Sequence, residues 1–553
     1  MRSVAFYGTL GALVLSAGAA VPSGTGTPTA PGGLPLPLRE AREAVGTAVA
    51  ARAAAVTGID WASCPETEEL PGYAECGEVS VPVDYSAPHG RKLTLTVSRK
   101  RATGPAAERQ GPLLHNPGGP GADSMDFPLH PVVRAGVWKK LNRAYDFVGY
   151  APRGVGRSAP LHCRHREHTE TTAAEATQPG GTKGRPGEKE DVGRPPQVPS
   201  DAYKRELRRQ AAAFAKACAL RNGGALGHFT TADNARDLDV LRSALHREKL
   251  DYLGTSYGGY LGAVYATLFP GHVRRLVLDS VVDPRPGRIW YGDSLAQSRA
   301  LQHRWEDFTS WTARHHSVYG LGRGPQAVQR RFGQALAAFD GGQPGGRASR
   351  QVLRAYLAAG RGEESWPRLA LALAEFHRGD RRALKRLAAS GPRPSTEQDN
   401  SDSVYSAVQC SEGHWPRTWS RWDRDHTAIA RVAPYLAWEG VRADLPCAYW
   451  KSRPSRPVDV HASPGRLPPV LLLAAARDAV TPYEGAVETW KRLPGSSLVT
   501  ENGSGTHGVA GGNRCADAHL AAYLLTGGTP GRRAECPARP APRPLPGPAS
   551  TRP

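Results

Sequence analysis

After its first twenty residues the 553-residue chain has no apolar run long enough to cross a bilayer, so a later membrane span is excluded. It has no block of Lys and Arg interleaved with aromatic residues. The net charge of +20 comes mainly from scattered arginines. That excludes a nucleic-acid stripe and reads as solvated surface, suited to lingering near an anionic envelope. No cysteine closely follows the N-terminal apolar segment, so nothing supports a lipid anchor. Nor is there a zinc-ligand spacing. "HCRHREH" at 162–168 holds three histidines and a cysteine, but two arginines sit among them, and a disulfide plus solvated loop is preferred to a metal site.

What is present begins with "MR" and the apolar, small-residue stretch "SVAFYGTLGALVLSAGAA". This is the layout of a secretory signal peptide over residues 1–20, with cleavage near Ala19 or Ala20. Outside the cytosol disulfides persist, and the eight cysteines are even in number. Eight cysteines allow 105 connectivities. The simplest pairs sequence neighbours: Cys64 with Cys76, Cys163 with Cys218, Cys410 with Cys447, and Cys515 with Cys536.

The chain divides by texture. Residues 21–56 read as a Pro/Gly/Ala-rich leader, linker or pro-segment with a short helical stretch. Residues 57–290 and 465–538 alternate buried strands with helices, the pattern of an α/β fold with a mostly parallel central sheet wrapped on both faces. "GEVSVPVDY" and "KLTLTVSRK" alternate as an antiparallel hairpin. Residues 164–200 are polar and read as a disordered insertion. A helix is expected over 201–222, and a second in "TTADNARDLDVLRSAL" with Thr231 or Asp233 as its cap. Residues 291–464 form a mainly helical insert, a cap or lid, and 539–553 a proline-rich, disordered tail.

Ligands of such sheets sit at the carboxyl ends of the strands. There "DYLGTSYGGYLG" runs a buried strand into a helix through Gly254-Thr255-Ser256-Tyr257-Gly258, a G-x-S-x-G turn. In this turn a serine occupies a strained conformation, its flanking glycines avoid a clash, and the hydroxyl is lifted to a helix N-terminus. The tight turn alone explains the glycines. The strand before, the helix after and the additional Gly259 favour a nucleophile. A serine hydroxyl needs a base, and the order for this fold is Ser, acid, His. Asp478 ends "VLLLAAARD" and His507 lies in "GSGTHG". Asp279, ending "LVLDS", competes for the acid but suits a structural turn. His519 lies in a helical pattern. The oxyanion donors expected are the N–H of Tyr257 and that of Gly119 in "HNPGGPG". No cofactor and no metal is required.

"HNPGGPG", "YDFVGYAPRGVGRS", "GTSYGGYLG", "VLDSVVDP" and "ARDAVTPYEGA" together resemble the secreted tripeptidyl aminopeptidases of the prolyl-iminopeptidase-like α/β-hydrolases, over about residues 60 to 538. The resemblance implies the α/β-hydrolase fold with a helical cap. It also implies a serine exopeptidase that releases short peptides from free N-termini, with Ser256, Asp478 and His507 as triad. The sequence departs from the family at Ala151, where an acidic residue is usual before "PRG". A buried carboxylate would recognise a substrate ammonium and reject blocked peptides. Glu412 in "VQCSEGHW" is the candidate, set against a solvated glutamate. Trp415, Trp419 and Trp422, at helical spacing, read as packing of the insert. Peptides or proteins with a free N-terminus are the expected partners, with no nucleic acid and no stable membrane insertion. An esterase or lipase with the same triad, and a silent binding protein on the same scaffold, are the alternatives.

Overall fold

The computed structural model describes residues 36–134, 136–164, 199–340, 362–389, 395–434, 437–452 and 454–546. The signal-peptide reading and most of the expected 164–200 insertion lie outside them. Ten strands form one sheet: β1 Ala62–Ser63, β2 Glu75–Pro82, β3 Lys92–Lys100, β4 Gly111–Asn116, β5 Tyr145–Tyr150, β6 Leu250–Thr255, β7 Val273–Asp279, β8 Leu471–Ala475, β9 Ser497–Glu501 and β10 Arg533–Cys536. Their order is β1-β2-β3-β5-β4-β6-β7-β8-β9-β10. The expected hairpin is β2 on β3, with β1 and β5 also joined antiparallel, and every pair from β5-β4 onward is parallel.

Apolar side chains of the central strands alternate between two buried clusters. Leu114, Tyr252, Leu278 and Leu472 face one, and Leu113, Leu253, Val277 and Leu471 face the other. The first cluster is closed by Leu238 and Leu241 of the helix Thr231–Ala244 and by Tyr260, Leu261 and Val264 of the helix Tyr257–Leu268. The second is closed by Leu520 and Leu524 of the helix Arg514–Thr526. Continuous apolar strands therefore mark a sheet covered on both faces. The chain order reverses at β4, between β5 and β6, which opens a crevice at the carboxyl edge there.

The insert leaves after β7 and returns at β8, and those two strands are hydrogen-bonded neighbours. Its helices, in chain order, include Tyr291–Arg314, Pro325–Asp340, Trp366–His377, Thr396–Cys410 and Trp419–Ala430. The last two share the first sheet cluster through Val404, Ala407, Trp422 and Ile429. The others pack around Leu301, Trp305, Phe308, Phe332, Leu369 and Leu373 in a separate cluster. The four disulfides are the sequence-near pairs Cys64–Cys76, Cys163–Cys218, Cys410–Cys447 and Cys515–Cys536.

The helical stretch expected within 21–56 is the helix Leu36–Thr57, and it is docked: Glu43 accepts from Arg236 at 2.7 Å, and a Cβ on Gly46 would lie 1.8 Å from the Tyr85 carbonyl oxygen. The interior residues that receive this helix come from distant sequence, so composition alone conceals its docking. Two expectations, a helix cap and the tail, are corrected. The helix over 231–244 is capped by Thr230, whose hydroxyl accepts from the Asp233 amide at 3.0 Å. Thr231 turns its own hydroxyl elsewhere. The proline-rich end is held as far as it is described: the Pro542 carbonyl accepts from the Trp311 indole at 3.2 Å, and the Leu545 amide donates to the Tyr319 hydroxyl at 3.1 Å. Proline lacks an N–H but keeps its carbonyl, so such a segment can still be fastened as an acceptor.

Candidate active site

β6 delivers Ser256 to the carboxyl edge and the helix Tyr257–Leu268 starts at the next residue. Ser256 has φ 62° and ψ −126°, a conformation that side-chain-bearing residues adopt only when their surroundings enforce it. The enforcement is visible. A Cβ at Gly254 would sit 2.1 Å from the Gly258 carbonyl oxygen, and one at Gly258 would sit 2.1 Å from that of Asn116. The Ser256 amide donates to the Asp279 carbonyl at 2.9 Å, which ties the turn to the end of β7.

The loop after β4 backs directly onto this turn. A Cβ at Gly118 would lie 2.9 Å from both the Ser256 Cβ and the Tyr257 amide nitrogen. The Gly118 amide is occupied, donating to Asn116 Oδ1 at 2.9 Å. Those of Gly119 and Tyr257 have no partner among the described residues.

Asp478 follows β8 in a tight turn and is 3 % exposed. Its Oδ1 accepts from the amides of Val480 at 2.8 Å and Thr481 at 3.1 Å. Its Oδ2 accepts from the Thr481 hydroxyl at 3.1 Å and lies 2.9 Å from His507 Nδ1. The imidazole Nε2 is the nitrogen that Asp478 does not engage. The histidine loop lies beside the turn that carries Ser256: a Cβ on Gly508 would be 3.6 Å from Thr255 Cγ2. Asp279, the competing acid, is 1 % exposed and serves the backbone instead. It accepts from the amides of Val509 at 2.9 Å and Ala510 at 2.9 Å. Burial pushes its carboxyl above the ordinary value, and these backbone donors pull it back. His519 is on the helix Arg514–Thr526, beside the Cys515–Cys536 disulfide.

Residues 111–340 match the model of the alpha/beta hydrolase fold, and residues 433–536 match that of TAP-like proteins. The tripeptidyl aminopeptidase of Streptomyces coelicolor is 41% identical over 508 residues, covering 91% of this chain and 90% of that one. The chain belongs to the tripeptidyl aminopeptidase family of α/β-hydrolases. It is thus a serine hydrolase of the aminopeptidase class. More distant relatives are the serine protease Hip1 of Mycobacterium tuberculosis, 30% identical over 86% of this chain and 91% of its own length, and the carboxylesterase B of the same species, 31% identical over 91% and 96%.

In this member of the tripeptidyl aminopeptidase family Glu412 is 2 % exposed, not solvated. It follows the helix Thr396–Cys410, and its carboxylate accepts from both the amide and the hydroxyl of Thr231. The Tyr257 hydroxyl reaches the same Thr231 hydroxyl at 3.3 Å, which connects the carboxylate to the residue after Ser256. No cation pairs with Glu412 among the described residues. Burial pushes its carboxyl up to about 7, against the opposing pull of Thr231. Trp415 and Trp422 stack at 6.0 Å in the buried core, and Trp419 packs on Trp438. Just before "PRG", Ala151 is buried with its amide on the Thr96 carbonyl at 3.0 Å. Two residues on, Arg153 is buried against Asp237 at 2.6 Å.

Sequence reasoning took Thr231 for a candidate helix cap and did not reach its bonds to Glu412, the backbone partners of Asp279, or the contacts of the insert with the Asp478 turn. In these, Arg477 meets Asp307 and the Gln297 amide donates to the Val480 carbonyl at 2.7 Å. The only signal at Thr231 was a second hydroxyl residue beside Thr230 at one helix start, where one hydroxyl suffices for the cap.

Proposed function

We propose that this protein is a secreted exopeptidase that releases short peptides, tripeptides by family, from free N-termini through an acyl-enzyme. His507, oriented by Asp478 through Nδ1, takes the Ser256 hydroxyl proton on Nε2 as the oxygen attacks the scissile carbonyl. The amides of Gly119 and Tyr257 receive the oxyanion in a site where they need no reorganisation. His507 then gives its proton to the leaving amine, and water releases the acyl group. The four disulfides support export. The 291–464 insert is read as the cap over this rim.

The observation that carries the exopeptidase reading is Glu412. A buried carboxylate without a cation is unfavourable, and an arriving ammonium supplies the missing charge. A blocked peptide cannot supply it, and so leaves the acid unpaired. The test compares free and N-acetylated tripeptide anilides. Cleavage of the free form with little or none of the acetylated form is expected. Equal cleavage of both, or faster turnover of short acyl esters, favours the esterase alternative that the carboxylesterase relative keeps in view. A wild-type protein that ignores a fluorophosphonate probe supports the silent scaffold.

A further inference from the structure

The histidine loop is gripped from two sides. On its donor side, Asp279 accepts from the amides of Val509 and Ala510. On its acceptor side stands a residue beyond the last strand. The Arg539 guanidinium donates through Nη2 to the carbonyl of Val509 at 3.0 Å and to that of Gly508 at 3.3 Å. Arg539 is itself anchored. Its amide donates to Glu501 Oε1 at 3.1 Å, and its Nε lies 3.3 Å from the same oxygen. Glu501 ends β9, is fully buried, and lends its carbonyl to the Ala476 amide at 3.0 Å, two residues before Asp478. Space is reserved for the guanidinium as well: a Cβ on Gly512 would fall 2.3 Å from its Nη1.

We infer that Arg539 is a positioning residue for His507, holding the two carbonyls that follow the imidazole while Asp279 holds the amides. This rests on His507 being the general base. One planar group that donates to two successive carbonyls restrains the peptide between them, and the Arg539 amide bond and ion-pair approach to Glu501 keep that group near the end of β9. The loop is thereby referenced to the strand that also braces the approach to Asp478. With the guanidinium removed, Asp279 still holds the Val509 and Ala510 amides and Ser280 Oγ still accepts from the Gly508 amide, but the carbonyl side of the 508–509 peptide loses its anchor and the imidazole is held less firmly. A small displacement of a catalytic group lowers turnover by up to about 100-fold without a matching effect on binding.

The test measures Arg539→Ala, Arg539→Lys and His507→Ala side by side on a free tripeptide anilide, with thermal unfolding of each. The inference expects Arg539→Ala to lose about 10- to 100-fold in kcat, with KM within about threefold. It also expects partial recovery on adding methylguanidinium, which a merely destabilised protein does not show. Arg539→Lys is expected to fall between, and it serves alone should the alanine variant fail to fold. A chain ended after Ala541 keeps Arg539 but loses the Trp311 and Tyr319 contacts, and is expected to retain activity within about twofold. Folded Arg539 variants with unchanged kcat overturn the inference when His507→Ala is inactive. If His507→Ala is itself active, the reading of His507 as base has failed instead. A truncated chain as impaired as Arg539→Ala assigns the effect to the tail and also overturns the inference.

Discussion

Arg477 meets both carboxylate oxygens of Asp307, at 2.8 and 2.7 Å, and so joins the residue before Asp478 to the cap helix Tyr291–Arg314. The pair is partly exposed, and such pairs contribute little to global stability. Its effect is local, on the spacing between the cap and the acid turn. Arg477→Ala is expected to leave the melting temperature nearly unchanged, to lower kcat/KM by about 3- to 10-fold, and to speed amide exchange across 478–482. An unchanged exchange rate there refutes the coupling.

The two buried aspartates separate by experiment. In Asp478→Asn, the side-chain oxygen can stay with the backbone amides, which turns the NH2 group toward His507 and selects the wrong tautomer. A loss of about 10⁴ in kcat is expected, with a modest change in melting temperature. In Asp279→Asn, a donor replaces an acceptor opposite buried amides, which costs about 1–3 kcal/mol in stability. There the melting temperature and kcat fall together. A folded, fully stable Asp279→Asn with full activity contradicts the role given to it.

Gly258 faces a backbone carbonyl, not a movable side chain, with 2.1 Å available to a Cβ. Gly258→Ala is therefore expected to give either insoluble protein or a folded protein that no longer labels with fluorophosphonate. Normal labelling of a soluble Gly258→Ala protein shows that the turn can open without disturbing Ser256.

Glu412 predicts opposite pH trends for stability and binding. Its folded carboxyl, raised by burial from 4.5 to about 7, keeps a proton that the unfolded chain has released. Its contribution to stability is complete below about 4.5 and is lost as pH rises through about 7. Asp444, raised by burial from 3.8 to about 6, has the same sign over a lower window. Glu412→Gln removes one of these two slopes: the variant gains on the wild type in melting temperature between pH 5 and pH 8. Its KM for a free tripeptide anilide rises at least tenfold, because the ammonium has lost its partner. In the wild type the same KM falls as pH rises through about 7. A pH-independent KM with a normal Glu412→Gln variant removes Glu412 from substrate recognition.

Much of the fold was legible because buried strands and amphipathic helices carry their own periodicity, and because the G-x-S-x-G turn states its steric reason in five residues. Sequence order also suggested which acid and which histidine could share an edge. It could not show that Asp279 feeds backbone amides 230 positions later, since a carboxylate at a strand end looks alike whether it faces an imidazole or a peptide. Arg539 was hidden for a similar reason. It stands among prolines, where composition argues for an unpacked tail, and its partners at 508 and 509 are carbonyls that every residue possesses. Glu412 was visible as a charge but not as a buried one, because burial there depends on a helix drawn from residues 231–244.

The pairing of β7 with β8 has a further consequence. The long excursion leaves the carboxyl end of β7 and re-enters at the amino end of its parallel neighbour β8, so the two strands stay paired whatever the crossover between them carries. A crossover of this kind tolerates exchange of its contents while the sheet and the turns at its carboxyl edge keep their places. An engineer seeking a different diet for the enzyme should graft there and leave the strands alone.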